Sequence, residues 1–158
     1  MRNARRSILA CFMVALIAGC TNTATEQVEE EQSRADVDPQ DVACLAEAIY
    51  FEARGTGEVG TQAVAHVVIN RKESPKFPNT VCSVVGDRCQ FSYRCDGIPE
   101  VYAEPVAKAD AIRMAETVLS GAPDITEGSL FFHAAWMEPG WFNTRPRVGR
   151  FGGNIFYR

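Results

Sequence analysis

The 158 residues carry a net charge of −4, but the acidity is uneven: Thr21 to Asp41 holds seven acids against one base, Arg34, leaving thirteen acids and twelve bases from Val42 onward. That remainder of about 117 residues suffices for one domain and not for two, and its neutrality excludes the broad basic face that nucleic-acid binding requires. Only its C-terminal end is locally positive, through Arg145, Arg147, Arg150 and Arg158, which form either a solvated rim or a contact for an anionic substrate.

Arg2, Arg5 and Arg6 precede an uncharged apolar run from Ile8 to Ala18, the form of a secretory signal over residues 1–19. The run is too short to span a bilayer, and no later segment approaches that length. Leu16-Ile-Ala-Gly-Cys20 resembles the bacterial lipobox, which makes Cys20 the expected site of acylation and the new N-terminus. Several acyl chains, at about 0.8 kcal/mol per buried methylene, hold a protein on a membrane stably. Thr21, rather than an aspartate, follows the cysteine, so the periplasmic face of the outer membrane is the expected location. Residues 20–41 are too polar to bury and read as an acidic disordered tether.

Residues 42–158 read as the folded domain. Pro39 and Asp41 open a first helix that ends at Arg54, before Gly55, Gly57 and Gly60. A second helix begins at Glu58 or Thr61 and runs to Lys72; its centre, Ala63 to Ile69, is apolar all round, as a buried central helix should be. Asn79 caps a short helix through Val85, and Gly86 to Gly97 reads as a small hairpin or irregular loop. A further helix spans Pro105 to Leu119 with Val106, Ala109, Ile112, Ala115 and Leu119 inward. Ser129–Trp136 and Val148–Tyr157 read as two strands joined by an exposed loop. Helices followed by short strands make an α+β domain.

Cys44, Cys82, Cys89 and Cys95 are the cysteines left after the signal and Cys20, and an even number in an exported chain implies two disulfides. Of the three pairings, Cys82 with Cys89 and Cys44 with Cys95 is preferred, because it fastens the short loop to the first helix. A zinc site is not expected, since paired C-x-x-C spacing is absent and the chain has two histidines. No metal or cofactor is expected.

Glu52 is the leading candidate for chemistry. Leu45, Ile49 and Glu52 fall at i, i+4 and i+7 and so share a helical face, which turns the carboxyl inward just before a glycine-rich opening. Burial and the negative end of the helix dipole both disfavour its charge, which suits a proton donor. The bland reading pairs it with Arg54 or Arg71. Gln90, Phe91, Ser92 and Tyr93 offer polar groups and flat apolar faces in succession, suited to a carbohydrate cleft or simply to a disulfide-held loop. His133 lies in an apolar strand as a ligand contact or a core histidine, and His66 in the most buried helix reads as structural. Trp136, Trp141 and Phe142 flank a turn where they stack on sugars or staple the loop to the core.

Together, Ala48-Ile-Tyr-Phe-Glu-Ala-Arg-Gly55, Ala63-Val-Ala-His-Val-Val-Ile-Asn-Arg71, Phe77-Pro-Asn, Cys89-Gln-Phe-Ser92, Cys95-Asp-Gly97 and the closing Gly-x-x-Ile-Phe-Tyr157 resemble the spore cortex-lytic, SleB-type cell-wall hydrolase family. The resemblance covers almost all of the folded part. It implies a lysozyme-like α+β fold, with a helical core, a small β-hairpin and short C-terminal strands, acting on the glycan strand of peptidoglycan. The glutamate of its E-A-R-G motif, Glu52 here, is implied as acid and base. Thr56 stands where many relatives carry a second acid, and Asn154 where they tend to carry a histidine.

Glycoside cleavage ordinarily uses two carboxylates, and the candidates for a partner are Asp96 and Glu58. A lytic transglycosylase needs one, so the expected reaction is transglycosylation between N-acetylmuramic acid and N-acetylglucosamine, with Gln90, Ser92 and Tyr93 positioning the sugars. The rival readings are a hydrolytic glycosidase on the same polymer, a lipoprotein that binds peptidoglycan without cutting it, and a cysteine peptidase using Cys44 and His133.

Overall fold

The computed structural model describes residues 37–158, so the expected signal, Cys20 and most of the tether lie outside the described residues. Helix α1, Pro39–Ala53, starts where the Asp38 side chain accepts a hydrogen bond from the Gln40 N–H at 2.8 Å and proline fills the first turn. It stops at Gly55, whose φ of 84° lies in the left-handed region that glycine enters at no cost. Helix α2, Gly57–Glu73, therefore begins a residue earlier than Glu58. Its residues Ala63 to Val68 are all buried, as expected of a central helix.

Helix α3, Val81–Val85, is capped by Thr80 rather than Asn79, because the Thr80 hydroxyl accepts from the Ser83 N–H at 3.1 Å. Helix α4, Pro105–Leu119, buries Ala111, Ala115 and Val118. The inward face expected from the sequence is thus rotated: Val106 and Ala109 are exposed, and small alanines face the bundle instead, where they let α4 approach α1 and α2 closely.

The C-terminal third forms an antiparallel sheet in the order β1-β3-β2, from Phe131–Ala134, Arg147–Phe151 and Asn154–Tyr157. The second expected strand is therefore a hairpin, turned at Gly152 with φ 57°. That glycine is also where the sheet meets α2: a Cβ there would lie 2.7 Å from the Thr56 carbonyl oxygen and 2.9 Å from the Gly60 Cα. Phe156 on β3 fills the gap with Ala53, Ala63, Val64 and Val67. The end of α2 is tied to the entry of β1, because the Asn70 carboxamide donates to Asp124, Thr126 and the Ser129 carbonyl.

Among the described residues two disulfides form, and neither is the preferred pairing. Cys44 bonds Cys82, and Cys89 bonds Cys95. The reason is packing: α3 lies against α1, which brings Cys82 to Cys44 with Cα atoms 5.1 Å apart. Cys89 and Cys95 close a short loop on themselves. Within it Ser92–Cys95 is a 3-10 turn and no strand forms, so the hairpin alternative is set aside. The cysteine-peptidase reading also ends, since Cys44 has no free thiol.

Candidate active site

Glu52 sits on the last turn of α1, half-buried, with Arg71 of α2 on one side and the Ser92 backbone N–H on the other. Burial dominates and raises its pKa; Arg71 and the Ser92 N–H oppose the shift without cancelling it. The carboxyl is therefore pushed toward the neutral form while two groups stand ready to stabilise its anion.

Arg71 is the site residue that the sequence reading left in the background, as a mere ion-pair alternative for Glu52. It is 4% exposed, its Nε donates to the Leu130 carbonyl at 2.9 Å, and its guanidinium lies 5.2 Å from the Phe77 ring and 5.3 Å from the Phe91 ring. Its Nη1 is buried and has no hydrogen-bond partner among the described residues. Burial lowers its pKa to about 10, against the pull of Glu52 and Asp87, so it stays charged at neutral pH. A signal existed: Val64, Val68 and Arg71 repeat the i, i+4, i+7 spacing that singled out Glu52, so the arginine shares the buried face of α2.

The loop after α3 is divided in its roles. Gln90 and Ser92 are exposed, and Ser92 faces Glu52 through its main chain. Phe91, expected to line a cleft, is instead 1% exposed and supports Arg71 from the core. Phe91 and Tyr93 both turn inward on either side of the exposed Ser92, so the aromatic positions of the alternation take the buried face. Tyr93 stacks on Phe51 at 4.7 Å, and burial, then the charges of Glu47 and Glu52, push its phenol far up, so it stays protonated.

Neither expected partner acid is among the groups that act on the Glu52 carboxyl. Asp96 is exposed and accepts from the Ile98 N–H at 2.8 Å in its own turn. Glu58 lines a cavity of about 650 Å³ between α1, α2 and α4, whose lining includes Arg54 and Met114 and not Glu52. Arg54 is itself committed to Glu104 at 3.1 Å. The carboxylate that shares Tyr93 with Glu52 is Glu47, and its Oε1 lies 3.3 Å from the Arg94 guanidinium.

His133 and Trp141 come together at the far end. The Ala134 carbonyl can only accept, so the His133 Nδ1 donates to it at 2.9 Å while Nε2 accepts from the Tyr157 hydroxyl at 2.9 Å. Trp141 packs edge-on against both rings. Phe131 joins this cluster to the Glu52 side, 6.0 Å from Trp141 and 6.1 Å from Phe77. Trp136 is exposed and outside the cluster. His66 bridges the Gln62 and Ala122 carbonyls, in keeping with a structural part.

The sequence and the fold have known counterparts. The chain is 34% identical over 116 residues to the spore cortex-lytic enzyme of Halalkalibacterium halodurans and 34% over 117 residues to that of Bacillus subtilis. Each alignment takes in 73% of this chain, which spans only 34% and 37% of those relatives' lengths. The catalytic domain of the germination-specific lytic transglycosylase SleB from Bacillus anthracis superposes with a TM-score of 0.63 at 32% identity, over 78% of this chain and 98% of that one. The catalytic domain of the Bacillus cereus SleB protein gives 0.62 at 32% identity, over 77% and 91%. The lysozyme-like α+β expectation is thereby met in an SleB-type fold. Residues 55–157 match the cell wall hydrolase family model, a span that opens three residues after Glu52. The chain belongs to the cell wall hydrolase family.

Proposed function

We propose that this chain cleaves the glycan strand of peptidoglycan between N-acetylmuramic acid and N-acetylglucosamine as a lytic transglycosylase, with Glu52 as acid and then as base. The observation that carries this is the surroundings of Glu52, where burial favours the acid and Arg71 with the Ser92 N–H favours the anion. In the first half, the Glu52 carboxylic acid gives its proton to the glycosidic oxygen as the bond from muramic C1 breaks. In the second, the carboxylate takes the proton of the muramic C6 hydroxyl while that oxygen bonds to C1, closing a 1,6-anhydro ring. Glu52 ends protonated, and no water is consumed.

Hydrolysis with two carboxylates fits less well, because Asp96 and Glu58 lie elsewhere and Glu47 is paired with Arg94. Similarity to a domain described as a lytic transglycosylase supports the same choice. Digestion in isotopically labelled water tests it: transglycosylation leaves the new sugar ends unlabelled, and label in a free reducing end would replace this reading with a hydrolase.

We infer an envelope location in addition, with Cys20 acylated at the periplasmic face of the outer membrane. The lipobox-like Leu16–Cys20 supports it, and two disulfides accord with an oxidising compartment. Incorporation of labelled palmitate into the wild type, and its loss in Cys20→Ser, is the expected result.

A further inference from the structure

The arginines of the C-terminal end are not equivalent. Arg158 pairs with Glu127 at 3.3 Å, as Arg54, Arg94 and Arg113 pair with carboxylates elsewhere. Arg145 and Arg147 make no salt bridge among the described residues, yet both line one cavity of about 300 Å³ with Asn143, Tyr157 and His133. Glu138, also in that lining, pairs with neither.

Arg145 is held in place before any ligand arrives. Its guanidinium lies 3.5 Å from the Phe131 ring centre and 5.6 Å from Trp141, so the rotamer is fixed by stacking. Its Nε is buried and has no hydrogen-bond partner among the described residues. Asn143 adds a carboxamide, and the Tyr157 hydroxyl is oriented by its donation to His133. Two guanidiniums, one of them fixed, outweigh the single Glu138 carboxylate in the lining, and with the neutral polar groups they give a concave, net-positive site suited to a carboxylate.

The cavity is joined to the candidate acid through contacts already described. Arg145 covers Phe131, Phe131 meets Phe77, and Phe77 lies under Arg71, whose charge acts on Glu52. The sugars of peptidoglycan carry N-acetyl and hydroxyl groups and no charge once the lactyl group is amide-linked; the anions of the polymer sit on its peptide stems. A stem leaves the muramic ring at C3, close to the C1 at which the strand is cut. Two or three extended residues reach roughly 7–10 Å, which carries their carboxylates away from the cut toward a flanking site.

We infer that the cavity bounded by Arg145, Arg147 and Asn143 is a subsite for a carboxylate of the muramic peptide stem, so that the chain prefers peptide-bearing glycan to stripped strands. This rests on the glycan-cleaving reading above.

The test compares KM of the full-length chain on three forms of one glycan preparation: with stems, with stems removed by an amidase and the lactyl carboxylates so freed capped as amides, and with stem carboxylates converted chemically to amides. The stem-bearing form is expected to have a KM about tenfold below the other two, as loss of a bidentate charged contact implies. Arg147→Gln, at an exposed position, and Arg145→Gln should bring that ratio close to one, and Arg145→Lys should recover it in part. Equal KM values for the three forms in the wild type, or a tenfold ratio surviving in both Gln variants, would overturn the subsite. Failure to cut any form would overturn the glycan reading itself and the subsite with it.

Discussion

Removing the Cys44–Cys82 bond should cost about 4 kcal/mol of stability at 25 °C. The bond joins positions 38 residues apart, and the chain-entropy relation for a loop of that length gives roughly 4 kcal/mol. The Cys89–Cys95 bond spans six positions and by the same relation contributes roughly 2.2 kcal/mol. With the unfolding entropy expected for roughly 120 ordered residues, these values lower Tm by about 15 °C and about 9 °C. Calorimetry on single and double Ser variants, kept unreduced, checks both the magnitudes and the pairing. Cys44→Ser and Cys82→Ser should cost the same, and the double variant little more than either, because each already breaks the one bond. Cys44→Ser with Cys95→Ser should be additive. Non-additivity between Cys82 and Cys89, or between Cys44 and Cys95, would refute the packing argument that sets α3 against α1.

Arg71→Lys and Arg71→Met separate charge from shape at the site. The Met variant loses the cation that lowers the Glu52 pKa, so the high-pH limb of the rate profile should move up while kcat falls; the Lys variant should keep the limb in place. Gly152→Ala puts a Cβ against the Thr56 carbonyl and Gly60 at a left-handed φ, and urea unfolding should show a loss of about 1–3 kcal/mol. Glu52→Gln should unfold later than the wild type at neutral pH. The sign follows from linkage: the folded-state pKa of Glu52 is raised, so its contribution is full below the unfolded value and is lost as pH rises through the folded one. Glutamine removes that loss, and urea midpoints at pH 4 and pH 8 should differ less in the variant by this component.

The parts of the molecule governed by local periodicity were legible from the residues. Glu52 turned inward because its spacing from Leu45 and Ile49 is helical, and Ala63–Ile69 marked α2 as central because every face is apolar. What depended on the meeting of distant segments was not. The disulfide partners follow from α3 lying on α1, which no loop length reveals. In the Cys89–Cys95 loop, closure of the disulfide leaves a 3-10 turn in place of a strand, and Phe91 and Tyr93 enter the core. Arg71 carried the same helical signal as Glu52, yet a guanidinium on a buried face gains meaning only once Leu130, Phe77 and Phe91 are seen to hold it. Gly152 shows the same dependence, since only the docking of the hairpin on Thr56 and Gly60 explains the absence of a side chain there.

The direct test of the central claim is mass spectrometry of the muropeptides released from purified peptidoglycan by the wild type and by Glu52→Gln, with folding of both verified by their unfolding curves. The wild type should yield 1,6-anhydro muramic ends, and the variant should release them about 10²–10⁴-fold more slowly. Undiminished release by Glu52→Gln would contradict the assignment of one buried glutamate as both acid and base.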